Sequence, residues 1–296
     1  MSMGTIRVSN IPRVQNISKE EFLRHYYEPQ KPVLIEGLTE DWPAYKKWNL
    51  DYIQQLAGDQ VVPLYNNKPT RGRKKSVVPA CEMKLTDYAE LLKTKPTDLR
   101  MFFYNILDKM PQLLDDFEYP DLGLKFFKRL PVMFFGGKGS KVLVHYDMDL
   151  ADLIHIHFHG HNTVTLFPPD QTPNLYRVPY TVHNLETIDM DAPDFDKYPA
   201  LQHLQGLQAK MKHGDVLYMP SGYWHYITYE DGGFSMTLRA FPRSTRKLAK
   251  LLSNVFVMRP FENVMRLTFG EKWLNYKENK VLRKTNKRFK KQHDHA

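Results

Sequence analysis

The chain is poor in the features that staple or anchor a fold from outside its core. Cys81 is the only cysteine in 296 residues, which excludes an internal disulfide and fits a reducing cytoplasm. No run of about 18 apolar residues exists that would span a bilayer, so no membrane segment is expected. The opening MSMGTIRVSNIPR lacks the apolar stretch a secretory signal needs. Internal repeats are missing as well, which leaves no basis for a solenoid. Negative charge is the scarcer sign, with 33 Asp and Glu against 42 Lys and Arg, a net +9. From Lys272 onward nine Lys or Arg face only Glu278 and Asp294, a balance of +7, so the rest of the chain carries only +2. Residues 272–296, with a smaller cluster at Lys68, Arg71, Arg73, Lys74 and Lys75, are therefore the candidate contacts for nucleic-acid phosphates; the competing reading is a solvated tail and loop.

What is present is a core of ordinary globular size, with 42% hydrophobic and 13% aromatic residues. Ser18 and Glu21 form a capping box at the head of KEEFLRHYY, a helix ended by Pro29 and Pro32. PVLIEG then reads as a buried strand, WNLDYIQQLAG as a helix closed by Gly58, and RMFFYNIL as a strand. From Leu130 the texture changes to short apolar runs broken by Gly, Pro, Asn and Asp, which predicts a sandwich or jelly roll. After Pro242 helical spacing returns in STRKLAKLLSNVF and FENVMRLTFGEKWLNYKENK. The expected division is a β domain over 1–242, with an amino-terminal α/β portion, and carboxy-terminal helices with a basic tail over 243–296.

Five of the twelve histidines fall in HYDMDLADLIHIHFHGHNT, residues 145–163. His145 and Asp147 are two apart on one strand, so they share a face and can meet one ion. The third ligand is expected from His225 in GDVLYMPSGYWHYI, about eighty residues on. Two histidines and one carboxylate make the facial triad of non-haem Fe(II) oxygenases.

With these pieces in view, HYD, LFPPDQTPNLYRVPYTVHNLETIDMDAPDFDKYPALQ, HGDVLYMPSGYWHYI and the amino-terminal ISKEEFLRHYYEPQKPVLIEGL resemble the JmjC or cupin-like branch of the 2-oxoglutarate oxygenases, especially its asparaginyl- and tRNA-hydroxylating members. The resemblance runs to about Pro242. It implies a mainly β fold, a double-stranded β-helix or jelly roll with amino-terminal helices packed on it and a carboxy-terminal helical extension. It further implies Fe(II) on His145, Asp147 and His225, 2-oxoglutarate as co-substrate, and a protein side chain or RNA base as substrate. Pairing through the carboxy-terminal helices is also implied, with Phe261, Val264, Met265, Leu267, Trp273 and Leu274 as a homodimer surface or as a cover for the barrel.

Two positions depart from the family pattern. The lysine that holds the far carboxylate of 2-oxoglutarate is matched by Asn162, and an assisting threonine by Val142. A carboxylate in a dry pocket needs a cation or several donors. Arg239, fourteen residues after His225 and sharing a strand face with Ser235 and Thr237, is the expected replacement; its alternative is pairing with a surface acid. Strand alternation alone would turn His155 and His157 toward solvent, whereas the resemblance turns them over the metal cavity, with His155 facing the co-substrate. Tyr104 is a further pocket candidate, although the family's co-substrate tyrosine aligns nearer Phe102. Two readings from other classes stand beside the oxygenase: a metal-binding cupin without 2-oxoglutarate turnover, and a nucleic-acid-binding protein acting through its tail.

Overall fold

Two β-sheets face each other, and the histidine-rich strand crosses the middle of the larger one. The computed structural model describes residues 5–69, 71, 78–242 and 244–293, so Arg73, Lys74 and Lys75 lie outside the described residues. The major sheet runs in the order β2 (Arg13–Gln15), β3 (Val33–Glu36), β11 (Val216–Met219), β8 (Asp152–His159), β13 (Gly233–Ala240), β7 (Val132–Gly136) and β6 (Arg100–Asn105). The minor sheet runs β1 (Arg7–Asn10), β10 (Gln205–Met211), β9 (Asn162–Phe167) and β12 (Trp224–Tyr229). A separate hairpin pairs β4 (Val61–Leu64) with β5 (Cys81–Lys84). This is the double-stranded β-helix. Its corner between β8 and β9 is Gly160, at φ +77°, where a β-carbon would meet the carbonyl of Gly232 at 2.7 Å.

Alternation along the strands sorts the side chains into three layers. Leu34, Leu153, Leu217 and Met219 meet Val164, Leu166, Ala209 and Ile227 between the sheets. Ile154, Ile156, Phe158, Met236 and Leu238 point outward from the major sheet onto Phe22, Trp48, Ile53 and Tyr88. These last belong to α1 (Lys19–Phe22), α3 (Leu50–Ala57) and α4 (Leu85–Thr94) and to Trp48, which follows α2 (Pro43–Lys47). Each such side chain, fully buried, contributes about 1.5–3 kcal/mol. Ser18 caps α1 through its hydroxyl and Glu21 answers it, as the capping box predicts. Asn49 caps α3 and Gly58 ends it at φ +55°.

The outer face of the minor sheet, with Phe167 and Trp224, is covered by Leu175, Tyr176, Tyr198 and Leu201 and by Val281. Val281 belongs to the last of three carboxy-terminal helices, which follow the short α5 (Ile106–Lys109): α6 (Thr245–Ser253), α7 (Arg259–Phe269) and α8 (Glu271–His293). The basic segment is thus a docked helix, with Leu274, Lys277, Val281 and Thr285 on its buried face. Among the described residues no helix is long and apolar enough to cross a membrane.

Candidate metal centre

His145 and His225 stand directly opposite one another in an antiparallel bridge: the N–H of His145 donates to the carbonyl of His225 at 3.1 Å, and the reverse bond is 2.7 Å. Residues so paired project side chains to the same face, and their rings lie 4.3 Å apart. Asp147, two residues after His145, follows onto that face. One ligand atom from each of the three lies within 4.8 Å of the others, a gap that an ion bonded at about 2 Å to each closes by small side-chain adjustments.

The hydrogen bonds prepare the two imidazoles for a cation. Nδ1 of His145 donates to the Leu143 carbonyl at 2.7 Å, and Nδ1 of His225 donates to the Tyr223 carbonyl at 3.3 Å. Both tautomers are thereby fixed with Nε2 carrying the free lone pair. Burial, reinforced by the nearby His145, pulls His225 down to about 4, so its ring is neutral and ready to ligate at neutral pH. For Asp147 burial opposes ionisation, yet the Arg239 guanidinium and the two imidazoles outweigh it and hold the carboxyl down to about 2. Its Oδ1 faces His145 Nε2 at 3.7 Å while Oδ2 accepts from Arg239 Nη1 at 3.0 Å. The donor set of two imidazoles and one carboxylate suits Fe(II).

Arg239 does not stand free. The same Nη1 also donates to Asp149 Oδ2 at 2.8 Å, and the Phe103 ring lies under the guanidinium with its centroid 4.9 Å away. The expected anchor for a co-substrate is a buried brace for the ligand Asp147 instead. Arg239 is itself buried, at 4% exposed, while the side chains of its partners are 15% exposed at Asp147 and 34% at Asp149. The loop carrying Asp147 and Asp149 is held a second way, by Asn254 donating to the Met148 carbonyl at 3.0 Å.

Deeper between the sheets lies a polar row. His155 and His157 are buried on the inner face of β8, contrary to what alternation alone suggests, and opposite Thr237 and Ser235 of β13. His155 Nδ1 meets Thr237 Oγ1 at 2.9 Å, and its Nε2 has no hydrogen-bond partner. His157 donates from Nε2 to the Gly160 carbonyl at 2.8 Å, which makes Nδ1 an acceptor for the Ser235 hydroxyl at 2.8 Å and for Asn162 Nδ2 at 3.3 Å. Asn162 Oδ1 is left without a partner. Val142 is half-buried against the apolar cluster between the sheets. His159 is half-buried and His161 exposed.

Tyr104 is not brought to this place. A bulge between Met101 and Tyr104 shifts the alternation of β6, so Tyr104 pairs with Met133, joins the outer apolar layer and donates to Gln60 Oε1 at 2.6 Å. The bulge puts Phe103, at φ +59°, beside Arg239 in its stead. Phe102 stacks on Tyr65, and Trp224 packs edge-on against Tyr146. Sequence reasoning missed Asp149 and Phe103. Asp149 lies in a turn closed by the Leu150 N–H on the Asp147 carbonyl at 3.0 Å, a place that strand alternation does not describe.

The sequence profile of the family described as Cupin-like domain matches residues 18–245. Lysine-specific demethylase 8 of Xenopus tropicalis is 28% identical over 236 residues, covering 77% of this chain and 52% of that protein. tRNA wybutosine-synthesizing protein 5 of Gallus gallus is 28% identical over 249 residues, covering 77% of this chain and 76% of that protein. Arginine-specific demethylase JMJ22 of Arabidopsis thaliana is 26% identical over 259 residues, 81% of this chain and 47% of that protein. The chain spans about half the length of these two demethylases.

Proposed function

Because this chain belongs to the cupin-like domain family, we propose that it is an oxygenase with one iron ion held by His145, Asp147 and His225, acting on a protein side chain or an RNA base. The observation that carries the reading is the opposed pair His145 and His225, each with Nδ1 tied to a backbone carbonyl and Nε2 turned to a shared point with Asp147 Oδ1. When bound there, iron supplies the activation of O2 that such a centre couples to oxidation of a C–H bond. The chain's own residues do the rest. Arg239 keeps Asp147 ionised and pointed, Phe103 covers the guanidinium from solvent, and the apolar layer between the sheets excludes water from the inner side.

The co-substrate implied by the resemblance, 2-oxoglutarate, fits less well. Its far carboxylate would need a buried cation or a set of donors. Asn162 stands where the family has lysine, and Arg239 Nη1 is bound to two carboxylates. These two facts favour the second reading, a metal-binding cupin without 2-oxoglutarate turnover.

The two substrate classes are separated by incubating the iron-loaded protein aerobically with 2-oxoglutarate and either a peptide library or a tRNA pool, and scoring the gain of an oxygen atom, or the loss of a methyl group, by mass spectrometry. Modification of neither class, with or without other 2-oxo acids, contradicts the proposal. A contact with RNA phosphates would come from the exposed Lys280, Arg283, Lys284, Lys287, Lys290 and Lys291 of α8. A second copy of the chain would bind the exposed apolar Phe256, Val257, Val264 and Leu267, and Leu274 is buried and belongs to the docked side.

A further inference from the structure

We infer that the inner faces of the two sheets beyond the metal centre receive the uncharged tail of a 2-oxo acid and reject a second carboxylate. The inference rests on the iron-oxygenase reading above and concerns what lies beyond the metal. Of the buried cations among the described residues, only Arg239 comes from the two sheets; Arg266 and Lys277 belong to α7 and α8. Arg239 is committed, with Asp147 at 3.0 Å and Asp149 at 2.8 Å on one nitrogen. Two acids against one base leave this group with one negative charge. A divalent ion reverses that to one positive charge, and the metal-binding carboxylate of a 2-oxo acid cancels it. Nothing positive then remains inside for another carboxylate, whose burial without a partner costs several kcal/mol.

The polar atoms that line the inside agree. His157 must donate from Nε2 to the Gly160 carbonyl, so its Nδ1 accepts, and Asn162 turns its amide nitrogen to it. Asn162 therefore offers Oδ1, an acceptor, from the inner face of β9, in place of a cation. An acceptor repels a carboxylate and welcomes a hydroxyl, an amide N–H or no polar group at all. Two other buried atoms here lack a partner, Arg239 Nε, on a guanidinium whose charge is already offset by two carboxylates, and His155 Nε2, on a ring that burial keeps uncharged. That ring can give or take one hydrogen bond and cannot balance a charge. Val142, in the apolar layer, adds no donor.

The test compares two ligands of equal chain length, 2-oxoglutarate and 2-oxopentanoate, titrated without oxygen into the Fe(II)-loaded protein. The readouts are the visible metal-to-ligand charge-transfer band and the thermal midpoint. The expected result is that 2-oxopentanoate half-saturates at a concentration at least about ten-fold below 2-oxoglutarate, and that Asn162→Lys reverses the order. Tighter binding of 2-oxoglutarate to the unaltered protein overturns the inference, whatever the variant does. So does retention of iron with no response to either acid, an outcome that leaves the metal centre standing. Failure to bind Fe(II) at all sinks the oxygenase reading itself.

Discussion

Arg239 and Asp147 form a buried ion pair at 3.0 Å in which a base from the end of β13 grips the carboxylate that faces two histidines. The pair leaves Oδ1 of Asp147 turned to His145 and uses Oδ2 for the guanidinium. Replacing Arg239 by Met should therefore leave Asp147, and the partly exposed Asp149 beside it, without their cation. The expected loss is about 3–5 kcal/mol of stability, read by urea unfolding of the metal-free protein, with weaker Fe(II) binding in the same variant. Arg239→Lys should recover part of both, because an ammonium restores the charge without the planar fork. Unchanged stability in Arg239→Met would show that the pair is incidental.

Three buried histidines and the half-buried His183 set the acid response. Burial first of all lowers His155 to about 3 and His157, His183 and His225 to about 4, while the unfolded chain titrates near 6.5. Between these limits the unfolded state binds more protons, so stability is full above about 6.5 and falls as the pH drops toward 4. Each group adds a slope of up to about 1.4 kcal/mol per pH unit. The metal-free protein should show this decline in its thermal midpoint, and His157→Gln should flatten it. A midpoint constant from pH 6.5 to 4.5 would contradict the burial of these rings.

A second ionic contact joins the carboxy-terminal helices. Lys277 of α8 donates to Glu262 of α7, both almost fully buried, and Trp273 donates to the other Glu262 oxygen at 2.8 Å. Lys277→Met alone should cost about 3–5 kcal/mol by leaving Glu262 unpaired. The double change with Glu262→Leu should cost clearly less. Additive losses would mean that the two residues do not act as a pair.

The docking of α8 changes how its charge must be tested. Removing residues 277–296 would uncover the apolar layer around Val281 and Trp224, so the truncated chain should lose thermal stability. Changing the exposed Arg283, Lys284, Lys287 and Lys291 to Gln should leave the fold intact and reduce the salt dependence of tRNA binding, measured by fluorescence anisotropy. Binding that keeps its salt slope in that variant would exclude α8 as the contact.

Much of this arrangement follows from strand periodicity and could be read from the chain alone. The HxD spacing predicts that His145 and Asp147 meet one ion, and they do converge, although His145 forms only an isolated bridge and no strand runs through Asp147; the turn before Trp224 announces the strand that brings His225 across. Alternation tells which face a side chain takes, and is silent about what stands opposite. That is why Arg239 could be placed on the face of Ser235 and Thr237 and yet its partners, Asp147 and Asp149, were not foreseen. The bulge in β6 was hidden for another reason: in RMFFYN every register puts large aromatic groups on both faces, so an extra residue leaves no trace in the pattern. The basic terminus looked like solvated tail because its charge masks the sparse buried stripe of Leu274, Lys277, Val281 and Thr285.

The most direct measurement is an anaerobic Fe(II) titration by calorimetry of the purified chain and of its His145→Ala and His225→Ala variants, with circular dichroism to verify the fold. The account predicts one ion per chain in the parent and at least about a hundred-fold weaker binding in each variant. Equal affinity in all three proteins would place the metal elsewhere and contradict it.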